Sequence, residues 1–586
     1  MKYFRWVSWT VVAACAFSFS QNNPAPLVNQ LVPPSIRPGS GNFDLTVRGA
    51  NFINGSVLYW NGFPRKTRFI SADQLTAAIS AEDVSRTTTA SVSVANPAPG
   101  GGISTANYFS VQSPSPSIAI APVRRPLEGG VPAVGDFDGD GKLDLVIANG
   151  CTDYSCDATL DFYAGKGDGT FATPIRTIIG PYSGNILMSV YVADFNADGK
   201  ADLALSAFDG YGDDPVGGFV LLSNGDGTFS QSGTYQDNVV AVGDINGDGL
   251  PDLVSSGFAP IVISPEILVW LAKPDGTFTE TQDFPYVGAS GVALADFNGD
   301  GRLDMAIASS YSSYNYPWVS VAIGRGDGTF QDPVSYETPN SVYNVIAADV
   351  NGDGKLDLVT DGGCVLLGNG DGSFSPSACT ASPQGSMILG DFNTDGKLDL
   401  AILGGSPPSI NVFLGNGDGT FASSLLYQPP TPAVYQDQWN TLLTFSSADF
   451  ENIGRPGFAV SGTPIAAVYA QTIASVTPTR LDFGDQLLFR TSPPQTTTLH
   501  NIENVPIRIS EITIRGVNPG MFHQRSNCPP MLPGLGSCQI QTVFRPTSNG
   551  NKTAYLVVRY GGPNGPQVVP LSGNGTNPRH TFGRQQ

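Results

Sequence analysis

The sequence predicts an all-β chain: a seven-bladed β-propeller with a β-sandwich domain on either side. Two observations carry this expectation. One is composition: 69 Gly and 46 Pro in 586 residues, with 41% hydrophobic content, favour many short strands and turns around packed cores over long helices. The other is an internal repeat. The string DFDGDGKLDLVIA begins at Asp136, and near-copies begin at Asp194, Asp244, Asp296, Asp349 and Asp391, with a degraded seventh at Asp449. One unit every 42–58 residues is the period of a four-stranded propeller blade.

The elements follow in chain order. Residues 1–20 read as an export signal: Lys2 and Arg5 precede an apolar stretch from Trp6 to Phe19, and Ser18 and Ser20 are small residues at cleavage spacing. Three outcomes stay open there: cleavage after Ser20; lipidation of Cys15 in Val12-Ala13-Ala14-Cys15, which would leave a lipid anchor; and an uncleaved anchor. Residues 25–112 show short alternating apolar runs separated by Gly/Pro/Asn turns, as a sandwich requires.

Residues 118–470 hold the seven units. In unit 1 an apolar run (131–134) precedes the acidic string, a second follows it (143–148), a third (160–164) leads to GKGDGTF at 165, and a fourth follows (175–179). Five other units carry a version of that second string, at 223, 273, 324, 368 and 415. Its Gly-Asp-Gly suits a tight hairpin, and its Phe suits a core anchor. Arg325-Gly326-Asp327 spells an adhesion tripeptide but sits inside one such string, where it reads as turn. Unit 7 stops after three runs, whereas residues 118–123 form an apolar run with no partner. That run is expected to supply the fourth strand of the last blade and remove its open edge. Residues 473–575 read as a second sandwich and 576–586 as a polar, disordered tail.

Each intact acidic string places oxygen donors at positions 1, 3, 5 and 9, a main-chain carbonyl at 7 and Gly at 6. The candidate calcium ligands are Asp136, Asp138, Asp140, Lys142 and Asp144; Asp194, Asn196, Asp198, Lys200 and Asp202; Asp244, Asn246, Asp248, Leu250 and Asp252; Asp296, Asn298, Asp300, Arg302 and Asp304; Asp349, Asn351, Asp353, Lys355 and Asp357; and Asp391, Asn393, Asp395, Lys397 and Asp399. Calcium takes six to eight oxygens in flexible geometry, which such a loop can supply. An EF-hand is excluded because position 12 is never a carboxylate (Ile147, Leu205, Ser255, Ile307, Thr360, Ile402) and the flanks have strand character. The alternative is an Asp-rich turn that folds without metal, with its carboxylates repelling one another. Charge favours the metal: the six strings hold 19 of the acidic residues, and six calcium ions would take the net charge from -20 to -8. Unit 7 has Ile453 and Gly457 at positions 5 and 9 and is expected to be empty.

The D-x-[DN]-x-D-G-x-x-D-L strings with trailing G-D-G-T-F resemble FG-GAP/VCBS repeats, as in integrin α-subunit propellers. The resemblance implies calcium in the loop joining the first two strands of each blade, with partners binding the opposite face. Residues 25–112, with IRPGSGNFDLTVRGANF and VLYWNGFPRKTRFISADQLTAAI, resemble the IPT/TIG immunoglobulin-like fold. Residues 473–575, with RLDFGDQ and CPPMLPGLGSCQIQTVFRPTSNG, resemble Hydin-type immunoglobulin-like domains, whose usual disulfide Cys528 and Cys538 fit. Both flanking regions are therefore expected to be immunoglobulin-like β-sandwich domains.

Without Cys15, six cysteines form three sequence-local pairs, 151–156, 364–379 and 528–538, so disulfides are expected of an exported chain, with buried thiols as the alternative. A net charge of -20 excludes nucleic acid as a partner. His500, His523 and His580 all lie beyond the propeller, and no G-x-S-x-G, H-E-x-x-H or P-loop is present, so no catalytic site is expected. The expected function is secreted or cell-surface recognition of a glycan or protein. The alternatives are a polysaccharide lyase and an envelope scaffold. Aromatic connections on the face opposite the loops (Tyr154, Tyr182, Phe208, Tyr211, Tyr286, Tyr311, Tyr314, Tyr316, Trp318) are the candidate ligand surface, with packing between loops as the other reading.

Overall fold

A computed structural model describes residues 22–577 apart from internal segments, of which 113–119, 150–157, 310–317, 428–443 and 449–456 are the longest. The chain is all-β, and no α-helix occurs among the described residues. The export segment, Cys15, Cys151, Cys156, the unit 7 loop and every aromatic named above except Phe208 and Trp318 lie outside the described residues, and only the strand placement of Phe208 is described.

The first domain packs two sheets face to face. One orders Leu27–Val32, Phe43–Ala50, Gln74–Ile79 and Thr67–Ser71; the other is built around Thr88–Asn96, with Asn107–Val111 and Val57–Trp60 on its flanks. Alternation along the strands decides which side is buried. Leu45 and Val47 of one sheet meet Leu58, Trp60, Val92 and Phe109 of the other in one core. The last domain repeats the arrangement with sheets built around Gln495–Asn501 and Ser537–Phe544, and around Gly550–Tyr560 and Gln567–Thr576, over a core that includes Leu499, Phe522, Phe544 and Leu556. Its final strand reaches Thr576, one residue past the expected boundary.

Between them, units 1 to 6 each form one four-stranded antiparallel sheet with strands in chain order. Unit 1 runs Val131–Gly135, Asp144–Asn149, Thr159–Tyr163 and Ile175–Ile178. The seventh sheet takes Thr444–Ala448, Gly457–Gly462 and Ile465–Gln471 from the end of the repeat region and Ile120–Pro122 from before its start, with Ile120 opposite Gln471 and Pro122 opposite Tyr469. The unpaired run of the sequence thus has the partner expected of it. Leu127–Glu128 also pairs with Ile465–Gln471, which the sequence did not signal.

The first strands of units 1 to 5 lie side by side in succession, as do those of units 6 and 7, and Val131–Gly135 of unit 1 lies beside Thr444–Ala448 of unit 7. Cores form between neighbouring sheets. Phe137 and Phe162 of unit 1 meet Phe229 of unit 2 edge-on at 5.9 and 6.5 Å, and Phe297 of unit 4 meets Phe374 of unit 5 at 5.4 Å. The hairpin Phe therefore ties units 2 to 6 each to the previous one, and a fully buried ring such as Phe330 contributes roughly 1.5–3 kcal/mol. Disulfides join Cys364 to Cys379 and Cys528 to Cys538.

Candidate metal loops

All six acidic strings fold into the same loop between the first and second strands of their sheets. Three nested side-chain turns shape it. The position-1 carboxylate takes the position-6 N–H on Oδ2 at 2.6–2.9 Å in every unit. Position 3 takes the position-5 N–H on Oδ1 at 2.8–3.1 Å, and position 5 takes the position-7 N–H on Oδ1 at 2.8–3.0 Å. Asp and Asn are suited to such turns because their short side chains reach their own backbone two residues on. Position 6 sits at φ between +80° and +94° in all six loops, a conformation that excludes most side chains and explains the constant glycine.

Position 9 has a role that the sequence did not show. Asp144, Asp202, Asp252, Asp304, Asp357 and Asp399 are fully buried. Their Oδ2 accepts the position-2 N–H at 2.8–3.0 Å. Their Oδ1 accepts, at 2.7–2.9 Å, the N–H of Gly165, Ser223, Ala272, Gly324, Gly368 or Gly415, at the end of the third strand. The position-9 Asp thus stitches the acidic loop to the GDGTF hairpin. The recurrence of the second string after the first in every intact unit, 19–29 residues on, was the available signal.

In unit 1, carboxylate oxygens of Asp136, Asp138 and Asp144 all lie within 4.8 Å of one another. Burial pushes Asp144, Asp202 and Asp304 up to about 7 and Asp399 to about 8, with facing carboxylates adding to the shift and backbone N–H groups opposing it. Burial likewise raises the position-1 carboxyl of units 1, 3, 4 and 6, taking Asp244, Asp296 and Asp391 to about 6. Among the described ion pairs, none reaches position 1 or 9 of units 3 to 6. Two buried carboxylates beside a third oxygen, without a cationic side chain, fit a hard divalent cation. The position-5 carboxylates of units 1 and 2 differ, because Lys142 pairs with Asp140, and Lys200 with Asp198 at 2.6 Å. The residues at position 7 could contribute main-chain carbonyls, as could Leu250 in unit 3, whose side chain has no charge to pair.

The Arg325-Gly326-Asp327 tripeptide is committed to its hairpin: Arg325 N–H bonds Thr329 O at 2.8 Å, and Asp327 Oδ1 accepts both the N–H and the hydroxyl of Thr329. Trp318, the described aromatic of the opposite face, begins the third strand of unit 4 and is partly exposed. Among the described residues, no helix is long and apolar enough to cross a membrane.

Comparison with known proteins adds to this. A family model described as "FG-GAP-like repeat" matches residues 136–205 and 296–360. The chain is 26% identical over 251 residues to cartilage acidic protein 1 of Xenopus tropicalis, covering 38% of this chain and 37% of that protein. It is 36% identical over 94 residues to the Mus musculus protein of the same name, covering 14% of each. The chain thus spans well under half the length of these relatives. Among solved structures, a lectin of Agrocybe aegerita that recognises non-reducing terminal N-acetylglucosamine aligns over 58% of this chain and 90% of its own, at 18% identity and a TM-score of 0.33. An auxiliary nutrient binding protein of Bacteroides ovatus aligns over 76% and 98%, at 12% identity and a TM-score of 0.29. Likeness at that level carries no argument about ligands.

Proposed function

We propose that the chain is an exported, calcium-binding seven-bladed β-propeller, flanked by IPT/TIG-like and Hydin-type immunoglobulin-like domains, that binds a glycan or protein and catalyses nothing. The observation that carries the calcium reading is the sixfold loop, with a buried carboxylate at position 9, a carboxylate at position 1 that is buried in units 3 to 6 and half-buried in units 1 and 2, and side-chain oxygens at 3 and 5. Asp136, Asp138, Asp140 and Asp144, and their equivalents in the other five loops, would hold the ion, which would neutralise the carboxylates at positions 1 and 9 of units 3 to 6 that no described ion pair reaches. The neighbouring first strands of units 1 and 7, and the strand shared between the ends of the repeat region, support the closed seven-bladed ring. The two disulfides support export to an oxidising compartment. Recognition is assigned to the face opposite the loops, where Trp318 begins its strand and where the sequence pattern puts the other aromatic connections.

Thermal unfolding with calcium restored after chelation tests the metal. A ligand bound only by the folded state stabilises it by RT ln(1 + [L]/Kd) per site, so even sites with Kd of ~10⁻⁴–10⁻³ M raise the midpoint across millimolar calcium. Equilibrium dialysis should count about six ions, one for each intact loop. An unmoved midpoint with no bound ion would reduce the loops to turns. A glycan array, with polysaccharide cleavage assayed alongside, separates recognition from lyase chemistry.

A further inference from the structure

The first domain sits directly on the loops. Ala25 N–H donates to Asp244 Oδ2 at 2.6 Å, and Asn51 Nδ2 to the Asp244 carbonyl at 2.9 Å. Gln30 forms a reciprocal pair with the backbone of Asp349, Nε2 to O at 3.1 Å and N to Oε1 at 3.0 Å. Arg48 donates to Gly354 O at 2.6 Å, and the Ser35 hydroxyl donates to Asp391 Oδ2. Gln112 Nε2 bonds Thr394 Oγ1 at 2.9 Å. At unit 4, Asn29 Nδ2 donates to Leu294 O at 3.3 Å, and a Cβ on Gly301 would meet the Ala72 side chain at 2.4 Å. Apolar contact accompanies the polar: Ala50 is fully buried in the core shared by units 3 and 4. The position-1 carboxylates of these four loops, Asp244, Asp296, Asp349 and Asp391, are only 4–7% exposed, whereas Asp136 and Asp194 of units 1 and 2 are half-buried.

Resting on the calcium reading above, we propose that the first domain is a calcium-coupled cap: its seating completes the loops of units 3 to 6, and metal in those loops holds it seated. The physics is that of linkage. Seating removes water from four carboxylates, which makes an unneutralised charge there costlier and a bound cation more favourable. The donors from Ala25 and Ser35 bond the metal-ligand carboxylates themselves, the position from which outer partners orient a ligand and tune its affinity. The coupling is reciprocal, so whatever the cap adds to calcium affinity, calcium adds to seating. A cavity of about 120 Å³ remains between the cap and units 2 and 3, lined by Pro26, Ser104, Thr105, Asp194, Asp244 and Pro251.

The test uses the full exported chain. Calcium titration calorimetry is run on the wild type and on Gln30→Ala/Arg48→Ala, which touches only loop backbone, with Ser35→Ala as a milder second variant. Amide hydrogen exchange over residues 25–51 is measured with and without calcium, and circular dichroism checks that the variants fold. The expected result is about four ions bound some 10-fold or more weaker in the double variant, with two unchanged, and faster exchange over residues 25–51 on chelation. Unchanged affinity in both folded variants, or equal exchange with and without calcium, overturns the coupling and leaves the calcium reading standing. No calcium bound by the wild type overturns both.

Discussion

At the scale of single residues, the loops divide carboxylates by task. Position 5 is exposed in units 1, 2, 4, 5 and 6, and its backbone bond lies within its own turn; Lys142 and Lys200 pair with it in units 1 and 2, and on the calcium reading its main use in units 4 to 6 is an oxygen for the ion. Position 9 is buried and bonded to backbone on two strands. Two substitutions one turn apart should therefore behave differently. Asp300→Ala should lower the bound calcium by one ion and leave the chelated protein melting as the wild type does, since surface changes usually stay within ~0.5 kcal/mol. Asp304→Ala orphans the buried N–H groups of Phe297 and Gly324. Each unsatisfied group costs about 1–3 kcal/mol, so this variant should melt lower even in chelator. Equal melting of the two chelated variants would remove position 9 from the framework of the fold. The sequence marked both as oxygen donors; their difference was illegible because it depends on which N–H groups the third strand delivers.

At the scale of the loop as an element, constant glycine at position 6 has one common cause and one local one. Gly396 has φ +90° with open space where a Cβ would stand, whereas Gly301 has φ +82° and the cap's Ala72 within 2.4 Å of that point. Gly396→Ala should cost only the left-handed conformation, about 1–2 kcal/mol. Gly301→Ala adds a collision with the cap and should cost more, measured by chemical unfolding in calcium. Equal costs would mean that the cap yields freely at unit 4. The turn chemistry was readable from the spacing of Asp, Asn and Gly. The collision was not, because Ala72 belongs to another domain and carries no period that links it to the repeat.

At the scale of the whole molecule, what repeats was legible and what docks was not. The strings at Asp136 to Asp391 announced six sheets, and the missing fourth run of unit 7 pointed to residues 118–123. Both inferences rest on periodicity, which a sequence displays openly. The seating of the first domain depends on Gln30, Arg48, Asn51 and Gln112, ordinary polar residues that gain meaning only when the loop backbone faces them.

The shared strand makes a last prediction. Ile120–Pro122 covers one edge of Ile465–Gln471, so the two ends of the repeat region hold each other. Without that strand, the backbone N–H and C=O groups along the edge would lie open to pairing with another chain. Deleting residues 118–122 should therefore lower the unfolding midpoint in saturating calcium and produce concentration-dependent association by light scattering. Deleting residues 578–586 instead should do neither. If the 118–122 deletion stays monomeric with an unchanged midpoint, the strand is dispensable, and the two ends of the repeat region must be held by Leu127–Glu128 on Ile465–Gln471 and by the contact between the first strands of units 1 and 7.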